Sequence, residues 1–324
     1  MRALVYTGPE AMEMRDAPMP EASGNDALIK IEACGICGSD MHAYLGHDAR
    51  RPAPLILGHE AAGTIQNGPR VGERVTINPL VACQNCEYCN SGRENLCQSR
   101  QIISMPPREG AFAEYLTMPE ANLVTVPNDV PLSKAALAEP MAVSWHAAKL
   151  GFNMLHPSAD RSTLILGGGA IGAGSALCMK AMGLDDITVV EPNDARRAYL
   201  EKAIGLKVVA QADGKYGVVV DAVGYAATRA TACAHVKPGG VIIHIGLGED
   251  EGGLDIRYMT LQEVTFVGSY CYTAIDFKET CDAIFDGSLG ALDWIEERPL
   301  EDGWQSFKDI RAGAVQAPKI ILRP

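Results

Sequence analysis

The chain has no uninterrupted apolar run approaching the roughly 20 residues that a bilayer-spanning helix needs, so no membrane role is expected. Basic residues are also short. Lys and Arg number 28 against 40 Asp and Glu, a formal net charge of −12. Such a balance lacks the electrostatic footprint of a nucleic-acid or anionic-membrane binder and says little beyond solubility. The opening stretch, MRALVYTGPEAMEM, has no signal-peptide core, which points to a cytoplasmic protein. Internal repeats, low-complexity tracts and flexible linkers are missing too.

What is present is an ordinary globular composition, 47% hydrophobic and 21% charged, which favours a packed fold. At 324 residues the chain exceeds one modest core, so two domains are expected. A cytosolic address keeps thiols reduced, so the ten cysteines are not expected to form disulfides. Four of them lie in CQNCEYCNSGRENLC at 83–97, spaced C-x2-C-x2-C-x7-C. Four crowded thiolates can enclose a tetrahedral zinc with no open position. Cys83, Cys86, Cys89 and Cys97 therefore read as ligands of a structural zinc. Cys178, Cys233, Cys271 and Cys281 read as core thiols.

Up to about residue 130, short alternating stretches (ALIKIEA, GERVTINP, AFAEYLTM) broken by Gly and Pro predict a β-rich domain. SKAALAEPMAVSWHAAKLG predicts a helix ending at Gly151. Strand and helix then alternate through TLILG, AIGAGSALCMKAMG, ITVVE and DARRAYLEKAIG, followed by the buried-type strands KVVA, VVVDAVG, VIIHIG and VTFVG. This is an α/β pattern, a doubly wound parallel sheet covered by helices on both faces. Only QADGKY separates KVVA from the next strand. Six residues reach roughly 20 Å, which predicts an extended strap in place of the usual crossover helix.

GGGAIG at 167–172 matches G-x-G-x-x-G through Gly167, Gly169 and Gly172, with Ala170 and Ile171 between. It follows a strand, opens a helix and has Glu191 at the end of the next strand, the context of a dinucleotide site. Such a turn lets backbone approach a pyrophosphate that the helix N-terminus receives. Glu191 would bind the adenosine ribose and repel a 2′-phosphate, favouring NAD over NADP. Arg196 and Arg197 nearby act against that preference.

CGICGSDMHAY at 34–44, LGHEAAG at 57–63 and AEPMAV at 138–143, together with the cysteine lobe and nucleotide motif, complete a likeness. The chain resembles the zinc-dependent medium-chain alcohol and polyol dehydrogenases, nearest the sorbitol, threonine and butanediol enzymes. The likeness implies a GroES-like catalytic domain over 1–144, a Rossmann domain over 145–272 and a return to the first domain over 273–324. It assigns a second, catalytic zinc to Cys37, His59, Glu60 and Glu139, the two glutamates alternating, with Cys34 only packed. Adjacent His59 and Glu60 can serve one metal only on a distorted turn, since neighbours in a strand point apart. Ser39 and His42 fall on the proton-relay positions. Ile245, Gly246 and Leu247, with Gly268 and Ser269, match segments lining the nicotinamide, and Arg196 falls beside the nucleotide.

The resemblance thus implies NAD(P)-linked oxidation of a secondary alcohol, diol or polyol, in a homodimer or homotetramer paired through the edge strand at 264–270. Ala43 replaces a tyrosine of sorbitol dehydrogenases, which argues against sorbitol itself; Tyr44, Phe112 and Met141 are expected to wall the substrate. The rival reading is a non-catalytic NAD-binding protein with structural zinc only. It would be expected to have lost Cys37, His59 or Glu60, and all three are present.

Overall fold

A computed structural model describes residues 1–324. Its six-stranded sheet runs in the order Lys207–Val209, Ile187–Val190, Thr163–Leu166, Tyr216–Asp221, Val236–His244 and Thr265–Gly268. Every neighbouring pair is parallel. Its central strands read as continuous apolar runs because both faces are covered: Leu164, Ile165, Val218, Val219, Ile242 and Ile243 are fully buried. The chain leaves the central strand Thr163–Leu166 first to one side and later to the other. That reversal makes a crevice at the strands' carboxyl ends, where such sheets bind ligands. Residues 210–215 cross the sheet without a helix, as the short spacing predicts.

The first domain is built on a seven-stranded sheet centred on Asp26–Gly35. Ala27, Ile29, Ile31 and Ala33 face inward at period two while Lys30 is exposed, the signature of a half-solvated strand. This strand pairs with Glu60–Ile65 and Tyr115–Pro119, and its end pairs with the tail strand Lys319–Arg323 through Ile321 and Leu322. The polypeptide therefore crosses to the nucleotide domain and returns to finish its first sheet.

The helix expected from 133 to 151 is instead two pieces, Leu132–Ala135 and Ala138–Met154. Pro140 has no N–H for the carbonyl of residue 136 and its ring crowds that carbonyl, so one continuous helix cannot pass. The Ala135 carbonyl is taken by Thr76 Oγ1 at 2.8 Å. Gly151 does not end the helix. A Cβ there would lie 2.1 Å from Ile243 Cδ1, so this glycine permits close helix–sheet packing.

Candidate active site

The four thiols of the lobe converge. Cys86 and Cys89 Sγ are 3.5 Å apart, Cys83 and Cys89 3.8 Å, and all four lie within 4.8 Å of one another. Their acidities split. The Asn85 backbone N–H and the Cys97 thiol lower Cys83 to about 6, while burial and the neighbouring thiols push Cys89 up to about 12. Four thiolates this close repel unless a cation sits among them, so the donor set fits a closed zinc site.

The second cluster joins a helix start to a strand start. Cys37 is the N-cap of the helix Gly38–Tyr44, its N–H donating to Asp40 Oδ2 at 3.0 Å. Glu60 opens the strand Glu60–Ile65, while His59 stays just outside it. Gly58, just before them, stands at φ 90°, where a Cβ would strike the Phe112 ring at 2.5 Å. Ligand atoms of Cys37, His59 and Glu60 all lie within 4.8 Å of one another.

Electrostatics tighten this cluster. Asp40 is fully buried, accepts from Gly58 N at 3.3 Å and lies 3.4 Å from His59 Nδ1. Burial alone would raise the Asp40 carboxyl, but His59 and Arg51 outweigh it and hold it low. Burial likewise pulls His59 down, while Asp40 and Cys37 reverse that and hold its imidazole well above the ordinary value. Lys319 Nζ donates to Glu60 Oε1 at 2.6 Å and to the Ile36 carbonyl at 2.8 Å. Glu60 Oε2 and His59 Nδ1 are buried without a hydrogen-bond partner. An orphaned carboxylate oxygen beside a thiol and an imidazole fits the donor set of a catalytic zinc.

Glu139 stands beside this trio but not in it. It is buried, accepts from Tyr272 Oη at 3.0 Å, and is pushed up to about 7 by burial and by the charge of Glu60. Gly38 and Met41 line the cleft from the helix, while Ser39 and His42 share the neighbouring face, three residues apart. Ser39 Oγ is 3.4 Å from Arg51 Nη2. Cys34 is packed and fully buried.

A cleft of about 260 Å³ joins Cys37 and Glu60 to Gly169, Ala170, Ile171 and Arg196. Gly169 caps the helix Ala170–Ala181 with no side chain, leaving its first N–H groups free for an anion. A Cβ on Gly172 would meet the Gly167 carbonyl oxygen at 1.8 Å, so the turn admits only glycine there. Glu191 accepts from Gly168 N at 3.2 Å and Asn193 N at 2.8 Å, with Arg196 Nη1 3.7 Å away. Arg197 is turned to the Glu191 carbonyl and to Asp194. Ile245 and Gly246 both donate to the Asp221 carbonyl, and Leu247 is exposed. Ser269 N donates to the His244 carbonyl beside Gly268.

Two expectations are corrected. Tyr44, Phe112 and Met141 are fully buried in the two cores, with Tyr44 and Phe112 packed on Phe307, so they do not wall the cleft. Cys271 is only half-buried, packed at the margin of the main core at φ 48° on a segment leading to Tyr272. Asp40, Lys319 and Tyr272 went unremarked. Asp40 lies inside CGSD, where an acid three residues past an N-cap is a readable capping signal. Lys319 is signalled only weakly, as one of two charges ending the strand KIILR, and unlike Arg323 it is buried.

Residues 23–128 match the family model "Alcohol dehydrogenase GroES-like domain" and residues 170–286 match "Zinc-binding dehydrogenase". L-galactonate-5-dehydrogenase of Escherichia coli is 31% identical over 90% of this chain and 89% of its own. (R,R)-butanediol dehydrogenase of Saccharomyces cerevisiae is 29% identical, covering 100% and 98%. The structure of acetophenone reductase from Geotrichum candidum in complex with NAD superposes with TM-score 0.88 at 25% identity, covering 100% and 97%. With both conserved modules matched in order around one cleft, the chain belongs to the zinc-dependent medium-chain dehydrogenase/reductase family.

Proposed function

We infer that this cleft oxidises a secondary alcohol, vicinal diol or polyol by hydride transfer to a nicotinamide dinucleotide, with two zinc ions per chain and NAD favoured over NADP. One observation carries the reading. Cys37 and Glu60, whose donors converge with that of His59, line the same cleft as the uncapped helix N-terminus at Gly169. When bound, the metal acidifies the alcohol and the nicotinamide accepts hydride.

The chain's own residues do the rest. Cys37, His59 and Glu60 hold the metal, with Asp40 orienting the imidazole from behind. Glu139, tethered by Tyr272, is the reserve carboxylate that replaces Glu60. Ser39 takes the alcohol proton and His42, on the same helix face, passes it outward. Glu191 receives the ribose hydroxyls, and its charge opposes a 2′-phosphate, with Arg196 moderating the preference. Gly167, Gly169, Ala170, Ile171 and Gly172 cradle the pyrophosphate; Ile245, Gly246, Leu247, Gly268 and Ser269 flank the nicotinamide.

Named relatives that act on L-galactonate and (R,R)-butanediol support a small hydroxylated substrate. A reducing, cytoplasmic compartment suits ten free cysteines, four of them gathered at metal spacing. The test pairs metal analysis with a panel of secondary alcohols, diols, aldonates and sugar alcohols, read by NADH absorbance. Two zincs and turnover are expected. One zinc and no turnover on any panel member would instead establish the binding-protein reading.

A further inference from the structure

The cysteine lobe grips the nucleotide domain at one place. Asn95, two residues before the last lobe cysteine and almost fully buried, donates through Nδ2 to the Tyr270 carbonyl at 2.8 Å. Arg100, three residues after that cysteine, donates to the Cys97 carbonyl at 2.8 Å and to Tyr270 Oη at 3.3 Å. Its guanidinium also lies 4.9 Å from the Tyr270 ring centroid, within cation–π range. Glu94 adds a longer contact, accepting from Ala274 N at 3.5 Å. These contacts span about 175 residues of sequence, joining a lobe of the first domain to the segment following the sheet's last strand.

That segment matters to the cleft. It links the strand Thr265–Gly268 to the helix Ala274–Phe285 and contains no regular structure of its own. At one end Ser269 N is tied to the His244 carbonyl, and near the other Tyr272 Oη reaches Glu139. Between them Cys271 stands at φ 48°, a conformation that non-glycine residues adopt only when their surroundings hold them. The holding contacts on the solvent side come from the lobe.

We propose that the lobe is an interdomain latch: Asn95 and Arg100 clamp Tyr270 and so fix the 269–273 segment, with its Tyr272–Glu139 contact, beside the Cys37, His59 and Glu60 cluster. The metal of the lobe acts on the cleft through this clamp, because Asn95 and Arg100 flank Cys97 and move with it. Loss of the clamp frees the segment and weakens cofactor binding while both cores stay folded. The metal part of this inference rests on the zinc reading of the lobe and the cofactor readout on the proposed function, while the exchange readout rests on neither.

The test is hydrogen exchange by mass spectrometry on the full-length, metal-loaded protein, comparing wild type with Asn95→Ala/Arg100→Met. Exchange over 268–276 should rise roughly tenfold or more, with the central strand Thr163–Leu166 unchanged. The cofactor KM should rise severalfold while kcat stays within about twofold, which a general loss of folded enzyme does not produce. Unchanged exchange over 268–276, or an unchanged cofactor KM, overturns the latch. Cys89→Ser adds the metal arm. Loss of one zinc with faster exchange in both 83–100 and 268–276 supports metal control, and faster exchange in 83–100 alone overturns it. Retention of both zincs by Cys89→Ser refutes the zinc reading of the lobe, and the Asn95 and Arg100 variant still decides the latch.

Discussion

At the scale of single residues, two carboxylates are held by different means, and each means predicts a different failure. Glu191 is held by two backbone N–H groups, so its place survives its removal while its charge does not. Glu191→Ala should narrow the NAD over NADP preference in kcat/KM by about tenfold or more, the loss of about 1.4 kcal/mol of discrimination. An unchanged ratio would remove Glu191 from the ribose site. Glu60 is held by a buried cation, Lys319, which burial alone would deprotonate and which Glu60 and Cys37 keep charged. Lys319→Met should cost about 3 kcal/mol of stability in the metal-free protein, because it leaves a buried carboxylate uncompensated. Metal should restore part of that loss, since a bound cation replaces the missing charge; equal unfolding midpoints for Lys319→Met with and without zinc would contradict this. Cys37, His59 and Glu60 were legible in sequence because each sits in a local motif. Lys319 and Tyr272 were not, because their partners lie 259 and 133 residues away and only the fold brings them together.

At the scale of elements, the helix Ala274–Phe285 shows how one side chain can serve two structures. Asp276 completes the capping box with Thr273 and also reaches across to His146 and Lys149 on the helix Ala138–Met154. Burial would raise its carboxyl, but His146, Lys149 and Thr273 outweigh burial and hold it far below the ordinary value. A depressed folded value contributes stability that is complete above about pH 4, the unfolded value, and fades as pH falls through the folded one. Asp276→Asn should therefore cost about 1–2 kcal/mol at pH 7, a modest figure because Lys149 is partly solvated. The gap in thermal midpoint from wild type should shrink from pH 5 toward pH 3. A constant gap would mean that charge plays no part. The strand and helix alternation of this half was readable from apolar runs alone. Its helix ends were less so: Gly151 resembles a terminator, but its missing side chain makes room for Ile243. The Gly172 turn is less forgiving, since its neighbour is backbone. Gly172→Ala should abolish NADH binding as followed by fluorescence, while the zinc content stays at wild-type level.

At the scale of the whole molecule, the strand Thr265–Gly268 ends the parallel sheet with one side unpaired. The helix before it exposes Ile256 and Leu261, 62% and 64% accessible. An apolar open edge favours pairing with a second copy about a two-fold axis, and a dimer is the expected minimum assembly. Ser269 N donates inward to the His244 carbonyl, so by the two-residue period Val267 also points inward, leaving the N–H groups of Phe266 and Gly268 outward. Phe266→Pro should thus disrupt pairing while leaving the internal ladder intact. Sedimentation of wild type as a monomer at micromolar concentration would sink the dimer.

The return of the tail strand Lys319–Arg323 to the first sheet also sets an order of events during synthesis. The ribosome makes Cys37, His59 and Glu60 early, then the entire nucleotide domain, and only afterwards the lysine that neutralises Glu60. A nascent chain therefore cannot pair Glu60 with Lys319 before the whole parallel sheet has been made. Chains halted before residue 319 should bind zinc at the cysteine lobe, whose ligands are all local, while the second cluster lacks Lys319.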